Sequence, residues 1–246
     1  MRKDKKKVKN YKNFVLVINS GCSIDMSFVD EIPGIGAILF ICQLGTEGGN
    51  AFADVVSGKV TPSGKLTDTW AKKYADIPFH DEFSYLNGNV EEEYYKEGIY
   101  VGYRYFDSFG VEPRYPFGYG LSYTEFKYEN IHSDCEKITI TELESGKKIK
   151  CSVDVSNVGN FDGKEVIQLY VHDVIGTYMR PIRELKDYRK VLLKSGEKKT
   201  ISFEIGYNEL GYYKPTGEYF VEAGEFEIFI GTDCMAKEKV KLQVVQ

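Results

Sequence analysis

Several features that would point directly to a function are missing from this 246-residue sequence. No apolar run approaches the roughly 18 residues that a membrane-spanning helix needs. The N-terminus also lacks the charged-then-apolar pattern of a signal peptide. These absences predict a soluble, untargeted chain that has no membrane partner.

Metal-binding and disulfide patterns are absent as well. The chain has five cysteines, an odd number, and no C-x-x-C spacing, while its three histidines stand far apart. We therefore expect no metal site, and we expect reduced thiols in apolar surroundings, which favours a cytoplasmic or otherwise reducing compartment. The cysteines are Cys22, Cys42, Cys135, Cys151 and Cys234, and the histidines are His80, His132 and His172.

Two enzyme classes are disfavoured by missing motifs. The glycine-rich stretch Gly45-Thr46-Glu47-Gly48-Gly49-Asn50 fits neither G-x-G-x-x-G nor G-x-x-x-x-G-K-[ST], which argues against nucleotide binding. No G-x-S-x-G occurs, which argues against a serine hydrolase on an α/β scaffold.

The charge distribution argues against nucleic acid as a partner. Net charge is −5, but residues 1–12 hold seven basic side chains and one acidic one. The rest of the chain therefore carries 25 basic against 36 acidic side chains, which repels a polyanion. The basic stretch at residues 2–7 is interpreted as a solvated N-terminal face.

The first 93 residues read as part of an α/β domain. Residues 14–18 and 37–41 are continuous apolar runs, typical of strands that are buried on both faces of a parallel sheet. Between them Ser23 or Asp25 can cap a short helix that runs to about residue 30. A further helix is predicted over residues 51–56, ended by Gly58.

The apolar period changes to two beyond residue 124, which predicts about eight strands separated by turns. Residues 125–246 are therefore predicted to form a two-sheet β-sandwich of immunoglobulin or fibronectin type, and the missing Cys-Trp-Cys pattern favours fibronectin type III. The predicted strands are residues 138–140, 149–155, 166–171, 188–193, 201–205, 219–221, 226–230 and 240–244.

Residues 94–124, which we call the crossing segment, are rich in aromatic residues and glycine. Two interpretations are open: an aromatic packing surface between the two domains, or a sugar-stacking platform built from Tyr103, Tyr105 and Phe106. Arg104 and Asp107 lie three residues apart there, and we expect them to pair with each other.

Several short stretches resemble glycoside hydrolase family 3, typified by bacterial β-glucosidases. They occur in that family's usual order, and the ordered set is more specific than any one stretch. They are VLVINSG at residues 15–21, GTEGGNA at 45–51, PSGKL at 62–66, the crossing segment, VIQLYV at 166–171 and RPIREL at 180–185.

The resemblance implies a layout of catalytic barrel, α/β sandwich domain and fibronectin type III-like domain, of which this chain covers the last third. It implies a β-glucoside substrate, no cofactor, and a barrel supplied by a missing domain or a partner chain; a homo-oligomer is the alternative. The family's nucleophile and acid/base carboxylates have no counterpart here.

Among the glutamates of the matched stretches, Glu47 and Glu97 are the candidates for a catalytic role. Helix electrostatics for Glu47, and packing or hydrogen bonding for Glu97, are the simpler explanations. The function predicted is the C-terminal portion of a β-glucosidase-like hydrolase that is inactive alone. The alternative is a non-catalytic carbohydrate-binding or assembly module.

Overall fold

The computed structural model describes residues 11–246, and the chain divides into two compact units. The first unit comprises the residues up to Val60 with Thr69–Glu97 and Glu112–Tyr115. The second comprises Thr61–Asp68, Gly98–Val111 and Pro116–Gln246. The basic stretch at residues 2–7 lies outside the described residues, and the boundaries expected at 93 and 124 stay predictions.

The first unit contains a parallel pair of strands, β1 (Phe14–Ile18) and β2 (Ile35–Phe40). Both apolar runs therefore form strands, as predicted. The link between them holds a short 3-10 helix, Ser27–Glu31, whose start is stabilised because the Asp25 carboxylate accepts a hydrogen bond from the backbone N–H of Ser27 at 2.8 Å.

Helix α1 (Gly48–Val56) begins three residues before the predicted start at residue 51. The two glycines are part of its first turn, where Asn50 Nδ2 donates to Glu47 Oε2 at 2.6 Å. The helix ends as expected, because Gly58 adopts a φ of 79° that a residue with a side chain disfavours.

Beyond α1 the first unit is mostly irregular, with 3-10 helices at Tyr74–Asp76 and Ser84–Asn87. An isolated bridge joins Trp70 to Tyr115. The Trp70 ring is buried and packs edge-on against Phe40 at a centroid distance of 5.1 Å.

The first unit has few apolar side chains in its interior. Among the described residues, three hydrophobic side chains of this unit are buried, namely Ile18, Met26 and Trp70. Val15 and Val17 of β1 are 44% and 37% exposed. A strand that reads as buried on both faces is therefore open on one of them.

The second unit is a β-sandwich of two sheets. One sheet has five strands in the order β4-β12-β11-β6-β7, and the other has three in the order β3-β5-β8. Their strands are β3 (Phe126–Ser133), β4 (Lys137–Thr139), β5 (Ile149–Asn157), β6 (Gly163–Asp173), β7 (Glu184–Leu193), β8 (Lys198–Ile205), β11 (Gly224–Gly231) and β12 (Lys239–Val245).

Alternation places the core between these sheets. Cys151, Val153 and Val155 of β5 point inward and are fully buried. The central strand β6 is buried on both faces over Ile167–Val171, because other parts of the second unit cover its outer face.

Sequence reasoning missed some short elements of this unit and the whole of β3. Helix α2 (Tyr103–Ser108) lies in the crossing segment, and α3 (Ile140–Glu144) begins with a capping box between Thr139 and Glu142. A single turn, α4 (Tyr207–Leu210), precedes a hairpin of β9 (Tyr212–Tyr213) and β10 (Tyr219–Phe220), and of these elements only β10 corresponds to a predicted strand, at residues 219–221. Elements this short give little periodic signal.

Replacing Gly118 by alanine should destabilise the second unit. Its φ is 84°, and a Cβ there would lie 2.5 Å from the side chain of Gln168. We expect a loss of at least about 2 kcal/mol in the free energy of unfolding, measured by circular dichroism in urea.

Gly146→Ala is the matched control, since Gly146 has a φ of 90° but no atom within 4 Å of the added Cβ. It should cost about 1 kcal/mol, which is the backbone strain alone. Equal losses in the two variants would contradict the close contact at Gly118.

Candidate functional site

Glu47 lies immediately before α1 and is exposed. Its carboxylate accepts the hydrogen bond from Asn50 described above, and a negative charge at a helix N-terminus is favoured by the helix dipole. Helix electrostatics therefore account for the position of Glu47. Its catalytic assignment stays a prediction.

Glu97 is half-buried at the end of the first unit. In the part of the chain that the structure describes, no hydrogen bond or ion pair engages its carboxylate, although the preceding Lys96 pairs with Glu82. Of the two simpler explanations expected for Glu97, hydrogen bonding of its carboxylate is not seen among the described residues, and packing is compatible with its half-buried environment. Its catalytic assignment is likewise a prediction.

The aromatic candidates differ in exposure. Tyr103 lies in α2, where its hydroxyl accepts a hydrogen bond from the backbone N–H of Leu185 at 2.8 Å. Its ring packs against Phe117 and Tyr170 at centroid distances of 4.9 and 5.9 Å. Burial raises the pKa of the Tyr103 hydroxyl. Tyr103 therefore serves packing within the second unit.

Phe106 is also buried, but Tyr105 is half-buried and stacks on Phe109 at 5.0 Å. Phe109 is 59% exposed and makes an edge contact with Tyr100 at 5.2 Å. Of the three candidate rings, Tyr105 is therefore the one that solvent reaches, together with its neighbour Phe109. Sugar stacking on them stays a prediction.

The expected pairing of Arg104 with Asp107 is wrong. Arg104 Nη2 lies 3.1 Å from Glu184 Oε1, and Arg183 Nε lies 2.8 Å from Asp107 Oδ2. Helix α2 thus presents both side chains to the start of β7. The two ion pairs and the Tyr103 hydroxyl anchor this part of the crossing segment to the sandwich.

A buried polar network joins distant parts of the second unit. Lys65 Nζ lies 3.3 Å from Glu165 Oε1, and both side chains are about nine-tenths buried or more. Lys65 Nζ also donates to Thr232 Oγ1 at 2.6 Å and to the carbonyl of Gly120 at 3.1 Å. Tyr128 and Thr232 donate to the same Glu165 oxygen at 2.8 and 2.7 Å.

Gln168 extends this network along β6. Its Nε2 donates to the carbonyl of Thr232 at 2.6 Å, and its Oε1 accepts from Tyr170 at 2.6 Å. Burial, followed by the charge of Glu165, strongly raises the pKa of the Tyr128 hydroxyl. Tyr128 therefore stays protonated and donates its hydrogen bond to Glu165. The buried network holds distant segments of the second unit together, and we call it the structural lock.

Sequence reasoning did not single out this network. Lys65 stands in the matched PSGKL stretch and Gln168 in VIQLYV, so the family resemblance flagged their segments without giving a reason. The structure gives the reason: Lys65 shares one buried hydrogen-bond system with Glu165 and Thr232, which lie 100 and 167 residues further along the sequence.

The cysteines are all free, and the expectation of apolar surroundings holds for some of them. Cys151 and Cys234 are buried, and burial raises the pKa of their thiols to about 11 and about 12. Cys22 and Cys42 are exposed, so for these two the expectation is wrong. Cys22 lies after β1 and Cys42 after β2, in the first unit, which buries few apolar side chains.

A shallow groove of about 440 Å³ lies on the sandwich. Its charges largely neutralise one another: Lys148 Nζ lies 3.1 Å from Glu204, and Arg189 lies 2.5 Å from Asp187. The full lining is Lys148, Lys150, Asp187, Arg189, Ser202, Glu204 and Glu209. All of the lining residues are polar or charged, and four of them form ion pairs, so the groove offers no apolar surface for a ligand.

Within residues 11–246, no helix is both long and apolar enough to cross a membrane. The same part of the chain brings no three His, Cys, Asp or Glu side chains together as a metal site would require.

Comparison with known families gives two matches. Residues 4–103 match the glycosyl hydrolase family 3 C-terminal domain, and residues 165–234 match the fibronectin type III-like domain. The chain belongs to glycoside hydrolase family 3. It corresponds to the C-terminal part of that family's proteins, and the predicted fold class is confirmed.

Relatives span nearly the whole chain. Thermostable beta-glucosidase B of Acetivibrio thermocellus is 40% identical over 94% of this chain and 30% of its own length. Beta-glucosidase BoGH3A of Bacteroides ovatus is 42% identical over 89% of this chain and 28% of its own length. The chain therefore spans about 30% of the length of these relatives.

Solved structures agree with the sequence matches. Beta-glucosidase 3B from Thermotoga neapolitana, in complex with glucose, superposes with a TM-score of 0.82 at 36% identity, over 94% of this chain and 31% of that one. The Bifidobacterium adolescentis GH3 beta-glucosidase gives 0.83 at 33% identity, over 99% and 35%.

The Lys65–Glu165 pair should contribute strongly to stability. Lys65→Met leaves a buried carboxylate without its counter-ion, so we expect the free energy of unfolding to fall by about 3 kcal/mol. Lys148→Met is the control, because the exposed Lys148–Glu204 pair should contribute less than about 1 kcal/mol. Urea unfolding at pH 7 measures both, and a loss as small as the control's would contradict the proposed lock.

Glu184 should make stability pH-dependent. Burial alone would raise its pKa, but Lys186, Arg104 and Arg180 outweigh burial and hold the pKa below the usual value. A depressed folded-state pKa gives stability that is present above the unfolded-state value, near 4.3, and is lost as the pH falls through the folded value.

Thermal unfolding of the wild type and of Glu184→Gln, measured between pH 7 and pH 3, tests this. The wild type should lose its stability advantage over the variant as the pH falls below about 4. A constant difference across this range would show that Glu184 does not carry the effect.

Proposed function

We propose that this chain is the C-terminal part of a β-glucosidase-type hydrolase and acts on β-glucosides together with a portion that supplies the nucleophile and the acid/base. The observation that carries the proposal is the match over nearly all of this chain to about 30% of proteins named beta-glucosidases. Their remaining length leaves room for catalytic groups that this chain lacks.

The positions of the candidate carboxylates support this division of labour. Retaining glycoside hydrolysis needs two carboxyl groups about 5 Å apart, one of them kept protonated to act as the acid. Glu47 is exposed and engaged by Asn50, and Glu97 is half-buried, with no hydrogen bond or ion pair to its carboxylate among the described residues. We infer that the chain alone is inactive.

The scarcity of buried side chains in the first unit supports a covering portion. Val15 and Val17 leave one face of β1 open, and exposed apolar surface of this kind is a liability unless another surface covers it. The covering portion would be a barrel-bearing domain of the same polypeptide, a partner chain or a second copy. In this proposal the first unit completes an α/β layer and braces the substrate cleft, and the protein is cytoplasmic.

Hydrolysis of an aryl β-glucoside tests the proposal. The purified chain should show no activity. Grafted in place of the matching C-terminal 30% of the Acetivibrio enzyme, it should support hydrolysis. Absorbance of the released phenol measures both.

Activity of the chain alone, abolished by Glu47→Gln or Glu97→Gln, would contradict the inference that both catalytic carboxylates lie elsewhere. No hydrolysis in either form, combined with weak glucoside binding by the chain, would favour the alternative of a non-catalytic carbohydrate-binding or assembly module.

A further inference from the structure

The loop between β6 and β7, residues 174–183, holds large apolar side chains in solvent. Ile175 and Met179 are each 81% exposed, and Tyr178 is 38% exposed. Val174 and Ile182 add further partly exposed apolar area in the same ten residues. Isolated exposed hydrophobic residues are common, but a group of five on one loop is not.

The first half of this loop is held in place by Glu222. The Glu222 carboxylate accepts hydrogen bonds from the backbone N–H of Thr177 at 2.8 Å and from the Thr177 hydroxyl at 2.5 Å. The Tyr212 hydroxyl donates to the same carboxylate. Burial would raise the pKa of Glu222, but these hydrogen bonds outweigh burial and lower it, so the anchor is charged at neutral pH.

The second half is held by Arg180. Its Nη1 lies 2.7 Å from Asp173 Oδ2, and its guanidinium stacks over the Tyr212 ring at 4.0 Å. The backbone N–H of Ile182 donates to Ser108 Oγ at 3.1 Å. The loop conformation is thus set by contacts within the second unit.

This arrangement favours a protein surface over a sugar as the ligand. A saccharide needs free hydrogen-bonding groups beside an apolar face. Here Glu222, Thr177 and Arg180 are already engaged within the unit. The side chains that the loop exposes to solvent are mostly aliphatic. Because the loop conformation is already fixed, binding a partner here would cost little conformational entropy.

We propose that residues 174–182 form a docking surface for the portion of a family 3 hydrolase that precedes the region matched here. This inference rests on the proposed function. That portion is the favoured occupant because it makes up about 70% of the length of the relatives and has no counterpart in this chain. Met179, an unbranched side chain, suits contact with an irregular apolar surface.

Methionine oxidation by hydrogen peroxide gives a direct footprint of this surface. Met179 is 81% exposed, Met235 is 48% exposed and Met26 is fully buried, so one chain carries the probe and both controls. In the isolated chain, Met179 and Met235 should oxidise readily and Met26 slowly. In the grafted hydrolase, Met179 should oxidise at least about tenfold more slowly while Met235 is unchanged, as read by peptide mass spectrometry.

Substitution provides a second measurement. Ile175→Ser/Met179→Ser should leave the melting temperature of the isolated chain unchanged but lower that of the grafted hydrolase by about 4 °C. Val158→Ser/Met235→Ser, at 52% and 48% exposed positions of the same unit, should affect neither. Equal losses in the two double variants would overturn the proposal.

The outcomes separate this inference from the proposed function. Protection of Met179 in a graft that does not hydrolyse glucosides would leave the surface standing and overturn the function. Hydrolysis by a graft in which Met179 is still freely oxidised would support the proposed function and overturn the docking surface. Protection of Met179 in the isolated chain, with a dimer mass by light scattering that the loop variant abolishes, would replace the proposed occupant by a second copy and overturn it.

Discussion

The second unit depends on the buried pairing of Lys65 with Glu165. A charge taken out of water is costly unless it is paired and hydrogen-bonded, and here one Glu165 oxygen receives Lys65, Tyr128 and Thr232 together. Because these groups come from segments far apart in the sequence, their pairing requires the segments to meet. Residues 61–68 therefore belong to the sandwich although the chain on either side of them belongs to the first unit.

The crossing segment is also attached to the sandwich by charged residues that pair with distant parts of the chain. Arg104 and Asp107 each meet an oppositely charged residue near the start of β7, and the Tyr103 hydroxyl accepts from Leu185 beside them. The aromatic residues that suggested a binding platform mostly serve this attachment. Packing explains Tyr103 and Phe106, and of the three candidate rings it leaves Tyr105 as the one that solvent reaches.

The two units differ in how far they are complete by themselves. The sandwich has a continuous core from Ile138 to Val244, whereas the first unit buries three hydrophobic side chains among the described residues. A parallel sheet is normally covered on both faces, and the open face of β1 departs from that rule. This contrast, together with the share of the relatives' length that the chain spans, supports a function that needs a further portion.

The sequence by itself determined the order of the main strands, the division into an α/β part and a β-sandwich, and the family. Strand alternation and ordered short motifs are local signals, so they can be recognised in the sequence without a structure. It did not determine which Arg and Asp pair, the lock around Glu165, or the exposure of Ile175 and Met179. Those depend on residues that are distant along the chain and adjacent in space, so only the tertiary structure decided them.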